Sequence, residues 1–325
     1  MELDLSDAAP LSSKMMPFHQ SQEEDLPLRS SDSQIPSLTE STINLVNTIL
    51  GTGIVSIPFA FATVGVGSAT VLLGLAAACT WFSLHLLVTC AEIAFANRVP
   101  ARLSVFTPIG EPTYSSLAGA SMGRNGAALA DLALAFSCFG FATSYLVSIG
   151  QIVPNVIMGY LVQDTYLPNW IIAIISSRLL WMLVGVIAMV PITFSDRIQD
   201  YWWYNGLTFL CPCYLALLVI YQGIFLLPKI PIPPAKPWFL FQMKGFETLG
   251  IFVFAFTAHQ NLFASYEAMG ATYKGAPLDP FVVNRIRKTI DQSMAIVTAS
   301  YTIIGIIGAI SYGELTSVVI LDNCN

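Results

Sequence analysis

The chain has 325 residues, of which 55% are hydrophobic and 10% charged, with a mean hydropathy of +0.67. A soluble domain carries about 25% charged residues, so the composition excludes that class and makes hydrocarbon the main solvent. The net charge of −6 sits in residues 1–40, with eight acids and two bases, while residues 41–325 hold twelve of each. The 1–40 stretch is polar, rich in Ser and Pro, and lacks the apolar run of a signal peptide. It reads as a disordered acidic tail. Its serines are either phosphorylation sites or simply solvated.

Seven apolar segments follow, each near the ~20 residues that a span requires. They run over 43–63, 67–91, 127–159, 171–193, 204–227, 247–268 and 292–312. The third is long enough to tilt. The fourth contains Arg178, and the spacing predicts that 167–177 lies at the interface with the span starting near Arg178. A cytosolic N-terminus puts ten Lys/Arg on the inside and four on the other side, in line with the positive-inside rule. That sidedness excludes a seven-helix receptor, whose N-terminus lies outside. The 92–126 connection is long and basic, and is expected to be cytosolic and partly ordered. Pro228, Pro231, Pro233 and Pro234 preclude a helix between the fifth and sixth segments. Arg285, Arg287 and Lys288 close the next connection and set topology. The six cysteines fall mostly in apolar runs as small hydrophobes.

Polar residues inside spans are costly and mark function. In the first span, Asn44, Asn47, Thr48, Gly51, Thr52, Gly53 and Ser56 fall at one level, with Asn47, Thr48 and Gly51 on one face. Close helix packing through small residues is the plain alternative. In the sixth span, Thr257, His259, Gln260 and Asn261 put four polar groups in five residues. One helical face cannot hold them, and a local opening of the helix would. Interhelical hydrogen bonds are the plain alternative. His259 is the one ionisable side chain near mid-depth there, and an imidazole exchanges protons near physiological pH. His85 stands alone on an apolar face of the second span and reads as a packing residue. Asp131 and Glu267 read as groups at the cytosolic mouth, each with a possible part in proton relay.

Two broken spans five helices apart are the sign of a transporter built from inverted repeats. Half-helix N-termini would meet a substrate carboxylate, and opened carbonyls its amine or a cation. Neutral, small-polar surroundings suit a zwitterion. No phosphate loop, metal-ligand cluster or nucleophile–base pair occurs at usable spacing, so the chain is not read as an enzyme and needs no cofactor beyond H+ or Na+ as coupling ion.

The stretch "STINLVNTILGTGIVSIPFAF" resembles the opening helix of the amino acid/auxin permease family. "FVFAFTAHQNLFASYEAM" resembles its sixth helix, "RLLWMLVGVIAMVPITFSDRI" its fourth, and "ISYGELTSVVILDN" the segment after its seventh. The resemblance covers about 41–325, taken as the transporter domain, and is nearest to vacuolar amino-acid transporters of fungi and to system A/N-type carriers. It implies an all-α membrane protein with the first seven helices of an inverted five-helix-repeat (LeuT/APC-type) fold. It implies secondary active transport of amino acids, proton-coupled by the vacuolar likeness. Gly51, Thr52, Gly53, Thr257, Ala258 and His259 would line the substrate site. Asn47, Thr48 and His259 would serve ion coupling, with Asn47 structural if protons are the ion. Gln260 stands where many relatives have Pro. The expected membrane is vacuolar or lysosomal, with the plasma membrane as alternative. Partners are the amino-acid substrate and the bilayer, with no nucleic acid and no reading of oligomeric state. The family carries further spans beyond the seventh, so the chain is expected to be a truncated piece. A non-transporting amino-acid sensor or regulatory subunit is the alternative function.

Overall fold

The computed structural model describes residues 38–51, 53–96, 113–159, 168–193, 202–221, 245–268, 280–313 and 316. The acidic tail before Leu38, residue Thr52, the proline-dense connection at 228–234, most of the 92–126 connection and Cys324 lie outside the described residues.

Every regular element among the described residues is helical. The order is α1 (Leu38–Leu50), α2 (Gly53–Val64), α3 (Val66–Ala96), α4 (Tyr114–Ile157), α5 (Asn169–Ile175), α6 (Arg178–Thr193), α7 (Trp202–Tyr221) and α8 (Gly245–Ala255). A single 3-10 turn (His259–Asn261) then leads into α9 (Leu262–Ala268), and α10 (Pro280–Tyr312) follows. Among the described residues α3, α4 and α10 are long and apolar enough to cross a membrane alone. Two bent pairs add one candidate span each: α1 with α2 at 54°, and α5 with α6 at 53°. The shorter α7 contributes the apolar stretch Leu210–Tyr221.

The first predicted span is therefore two helices, and so is the sixth. The α5–α6 bend falls at Ser176 and Ser177, just before Arg178, where the sequence places the start of the fourth span. The third helix begins earlier than its apolar run does. It opens at Tyr114 on a reciprocal cap, in which Thr113 Oγ1 accepts from the Ser116 N–H while Ser116 Oγ accepts from the Thr113 N–H. A bend at Gly123, whose φ of 70° suits glycine, joins this polar first segment to the membrane length. Ser115 Oγ donates to Asp131 Oδ2 at 3.0 Å across that bend.

The core is built around α10, which packs against α1, α2, α3 and α7. Glycines allow the approach. A Cβ on Gly305 would lie 2.7 Å from the Phe61 ring, and one on Gly308 would lie 2.6 Å from Pro58 Cβ. Small residues at a helix seam are how helices associate in lipid, where the hydrophobic effect no longer drives them together. Phe61, Ile57, Phe252, Phe256 and Tyr301 are fully buried in this core. By contrast Phe136, Phe139, Leu179, Leu183 and Ile187 on α4 and α6 are exposed, as lipid-facing side chains must be.

Candidate functional site

Both expected breaks are present, and they face each other. The first helix stops at Leu50, Gly51 forms a turn, and α2 starts at Gly53. The sixth span stops at Ala255, runs as open chain through Thr257 and Ala258, turns tightly over His259–Asn261, and resumes at Leu262. A Cβ on Gly53 would lie 2.8 Å from both Cα and Cβ of Ala255. Only glycine lets the two broken backbones touch in this way.

The open chain is stabilised locally. The Thr257 N–H bonds to the Phe254 carbonyl at 3.1 Å, and the Asn261 N–H to the Ala258 carbonyl at 3.1 Å. The Thr257 hydroxyl folds back onto the Val253 carbonyl at 3.1 Å, an alternative to the helix ladder that threonine offers. A break in lipid requires such partners, because an unpaired backbone group there costs several kcal/mol.

One residue ties the two breaks together. Tyr301 on α10 is fully buried, and its hydroxyl lies 2.7 Å from the Ile49 carbonyl and 3.1 Å from the Ala255 carbonyl. These are carbonyls of the last turns of α1 and α8, which lack helical partners. The Tyr301 ring meets Phe256 edge-on with centroids 5.4 Å apart.

Side chains of the two breaks also meet. Asn261 donates from Nδ2 to Thr48 Oγ1 at 3.3 Å, and Thr48 Oγ1 donates to the Asn44 carbonyl at 3.0 Å. Asn47 goes elsewhere, donating to Thr208 Oγ1 on α7 at 2.8 Å. Gly51 faces α4, since a Cβ there would meet the Tyr145 hydroxyl at 3.0 Å. Ala258 is fully buried. His259 bridges two further helices, with Nε2 2.8 Å from Ser83 Oγ on α3 and its carbonyl 2.5 Å from the Tyr114 hydroxyl on α4. Gln260 Oε1 lies 3.9 Å from Cys138 Sγ.

The structure thus gathers Thr48, Gly53, Thr257, Ala258 and His259 around one junction, with Gly51 beside Tyr145. Thr52 lies outside the described residues. Asn47 and Thr48 share a helix but engage different partners, Thr208 and the Asn44 carbonyl. Tyr301, Tyr114, Tyr145, Ser83 and Thr208 escape sequence reasoning. One signal was available for the tyrosines: a phenol inside a span must find a hydrogen-bond partner. His85 is also not the isolated packing residue expected of it, since its Nε2 lies 2.9 Å from Asp291 Oδ1. Glu267 belongs to α9, but its side chain lies outside the described residues.

Apolar helices long enough to cross a membrane, with two of the predicted spans opened at facing breaks, define an all-helical protein of the membrane-spanning class. Residues 36–325 match the family described as transmembrane amino acid transporter protein, and the chain belongs to that family. It is 26% identical over 288 residues to vacuolar amino acid transporter 5 of Schizosaccharomyces pombe, covering 85% of this chain and 58% of that protein. It is 27% identical over 286 residues to vacuolar amino acid transporter 7 of Saccharomyces cerevisiae, covering 86% and 50%. It is 24% identical over 251 residues to sodium-coupled neutral amino acid symporter 2 of Danio rerio, covering 70% and 46%. The chain spans about half the length of the curated relatives it matches. No solved structure matches it.

Proposed function

We propose that residues 41–325 form the substrate-holding part of a secondary active amino-acid carrier, coupled to protons, with the acidic 1–40 tail in the cytosol. The observation that carries this reading is the facing pair of helix breaks, joined by Tyr301 and by the Thr48–Asn261 bond, in a chain of the amino acid transporter family. The carbonyl ends of α1 and α8 carry partial negative charge, which suits a substrate ammonium. The first turn of α2 opens at Gly53 with N–H groups that lack helical partners, which suits a carboxylate. No acid or base other than His259 stands among the described residues of the two breaks, and a neutral junction suits a zwitterion.

In this reading the chain holds the first seven spans of an inverted five-helix-repeat fold, with α1–α2 and α8–α9 as corresponding discontinuous helices. The vacuolar names of two relatives support a vacuolar membrane, and the symporter's name keeps Na+ as the alternative ion. His259, held on Ser83, is the group at the junction able to exchange a proton. The test is uptake of radiolabelled amino acids by the full-length protein in vesicles, under an imposed pH gradient and, separately, a Na+ gradient. Movement of amino acid under the pH gradient is the expected result. No movement of any amino acid under either gradient would sink the reading.

A further inference from the structure

Away from the helix breaks, α3 and α10 are joined by a ladder of ionisable groups. Trp81 Nε1 donates to Asp291 Oδ1 at 2.7 Å, and His85 Nε2 lies 2.9 Å from the same oxygen. The indole and imidazole, four residues apart on one helix face, have ring centroids 4.7 Å apart. One turn along α10, Arg287 donates to Glu92 Oε2 at 3.0 Å and to Thr89 Oγ1 at 3.2 Å, and Thr89 donates to the His85 carbonyl. The Asp291 side chain is 52% exposed and borders an open groove of about 840 Å³, floored by Ala77, Ala78, Ala295 and Ala299. The His85 side chain is only 19% exposed.

We propose that His85 and Asp291 form a one-proton binding site between α3 and α10, separate from the helix breaks, which carries the proton that couples transport. An ionised carboxylate accepts only, so the neutral imidazole donates Nε2–H to Asp291 and keeps a lone pair on Nδ1. A proton from water adds at Nδ1. One N–H bond forms, and the pair passes from one negative charge to none. The imidazolium gains a cation–π contact with Trp81. Asp291, half exposed, is the member of the pair that borders the groove.

The surrounding charges are few. On the same helices stand Cys79, Cys90 and Glu92 of α3 and Arg285, Arg287 and Lys288 of α10. From the packed neighbours come Glu40 of α1, Tyr114, Arg124, Asp131, Cys138 and Tyr145 of α4, Cys211, Cys213 and three tyrosines of α7, Glu247 of α8, whose side chain is not described, and His259, bonded to Ser83 of α3. The helix α2 brings none.

Trp81 is a built-in reporter, because an imidazolium against an indole quenches its emission. The test uses the purified chain in phosphatidylcholine liposomes, with wild type, His85→Gln, Asp291→Asn and Trp81→Phe proteins checked for thermal unfolding. Emission is followed from about pH 8 to about pH 5, either side of the ordinary imidazole range. The wild type loses emission on acidification, and His85→Gln and Trp81→Phe lack that component. Unchanging wild-type emission, or a change that survives His85→Gln, overturns the site whatever the protein carries.

A second arm reads the coupling and rests on the transport reading above. It follows uptake of radiolabelled L-alanine and L-glutamine. One proton per substrate gives roughly tenfold accumulation per pH unit of gradient. His85→Gln and Asp291→Asn lose that accumulation but keep exchange of labelled for unlabelled amino acid at equal pH. Variants that accumulate as the wild type does overturn the coupling role. A wild type that quenches with acid but moves neither amino acid overturns the coupling role and counts against the transport reading, while the proton site stands.

Discussion

The Tyr301 hydroxyl stands 2.7 Å from the carbonyl oxygen of Ile49, 252 residues earlier in the chain. The same oxygen reaches Ala255 in the other broken span. The helix at the centre of the core, α10, thus supplies a hydrogen-bonding group to both breaks. Each break frees carbonyls from the helix ladder, and one phenol lies against a carbonyl from each. The two breaks are therefore not independent events in the structure. They are held at one junction, and the junction includes α10.

Tyr301→Phe keeps the ring and its contact with Phe256 but removes the hydroxyl. The two buried carbonyls then lose the one O–H they share, and leaving a buried polar group unsatisfied costs about 1–3 kcal/mol. The expected outcome is a lower midpoint of thermal unfolding in detergent, with the protein still folded. Tyr301→Leu also loses the edge-on aromatic contact and is expected to fall further. A Phe variant as stable as the wild type would show that the two carbonyls have other partners.

The glycines of the first break separate by what faces them. Gly53→Ala drives a methyl against the backbone and Cβ of Ala255 at 2.8 Å, and neither can swing away. Overpacking of this kind costs about 1–3 kcal/mol. Gly51→Ala meets the tip of the Tyr145 side chain at 3.0 Å, which rotates more cheaply. Stability and amino-acid binding of the two variants, measured side by side, should rank Gly53→Ala as the more damaging. The reverse order would mean that the breaks are not packed face to face.

Both breaks were legible in the sequence for a physical reason. Gly51 and Gly53 remove side chains where a span needs them, and the run from Thr257 to Asn261 places more polar groups than one face can satisfy. What the sequence hid is pairing over long separations. Tyr301 sits in the apolar run of the last helix and looks like any interfacial aromatic. His85 looks isolated because its partner, Asp291, comes 206 residues later. The early start of α4 was hidden for a different reason. Its first turns are rich in Ser and Gly, and they are helical because of the Thr113–Ser116 cap and the packing of Tyr114 on Phe263, with centroids 4.8 Å apart.

Along α10, the seam against α2 depends on the missing side chains of Gly305 and Gly308. Gly308→Ala places a methyl 2.6 Å from Pro58 Cβ, and a proline ring has little room to move. The helix seam should open, at a cost of about 1–3 kcal/mol. Gly74→Ala on α3 is the control, since nothing lies within 4 Å of its added methyl. In a helix interior that change is neutral or stabilising, because alanine exceeds glycine in helix propensity by roughly 1 kcal/mol. Thermal unfolding of the two variants should move in opposite directions, and a shared loss would argue against this seam.

His259 tests which of the two histidines belongs to the substrate junction. Its imidazole is held on Ser83 and its carbonyl on Tyr114, so its position is fixed from two helices. His259→Ala removes the imidazole and frees the Ser83 hydroxyl, while the backbone carbonyl keeps its bond from Tyr114. Ser83→Ala removes only the hydroxyl that fixes the ring. If the junction holds the amino acid, equilibrium binding of labelled L-alanine or L-glutamine weakens in both variants. The effect is larger for His259→Ala, by roughly tenfold for a loss of about 1.4 kcal/mol. His85→Gln lies on the opposite partnership with Asp291 and leaves that equilibrium affinity near the wild-type value at a fixed neutral pH. Binding that weakens with His85→Gln but not with His259→Ala would move the substrate away from the helix breaks and toward the groove beside α3 and α10.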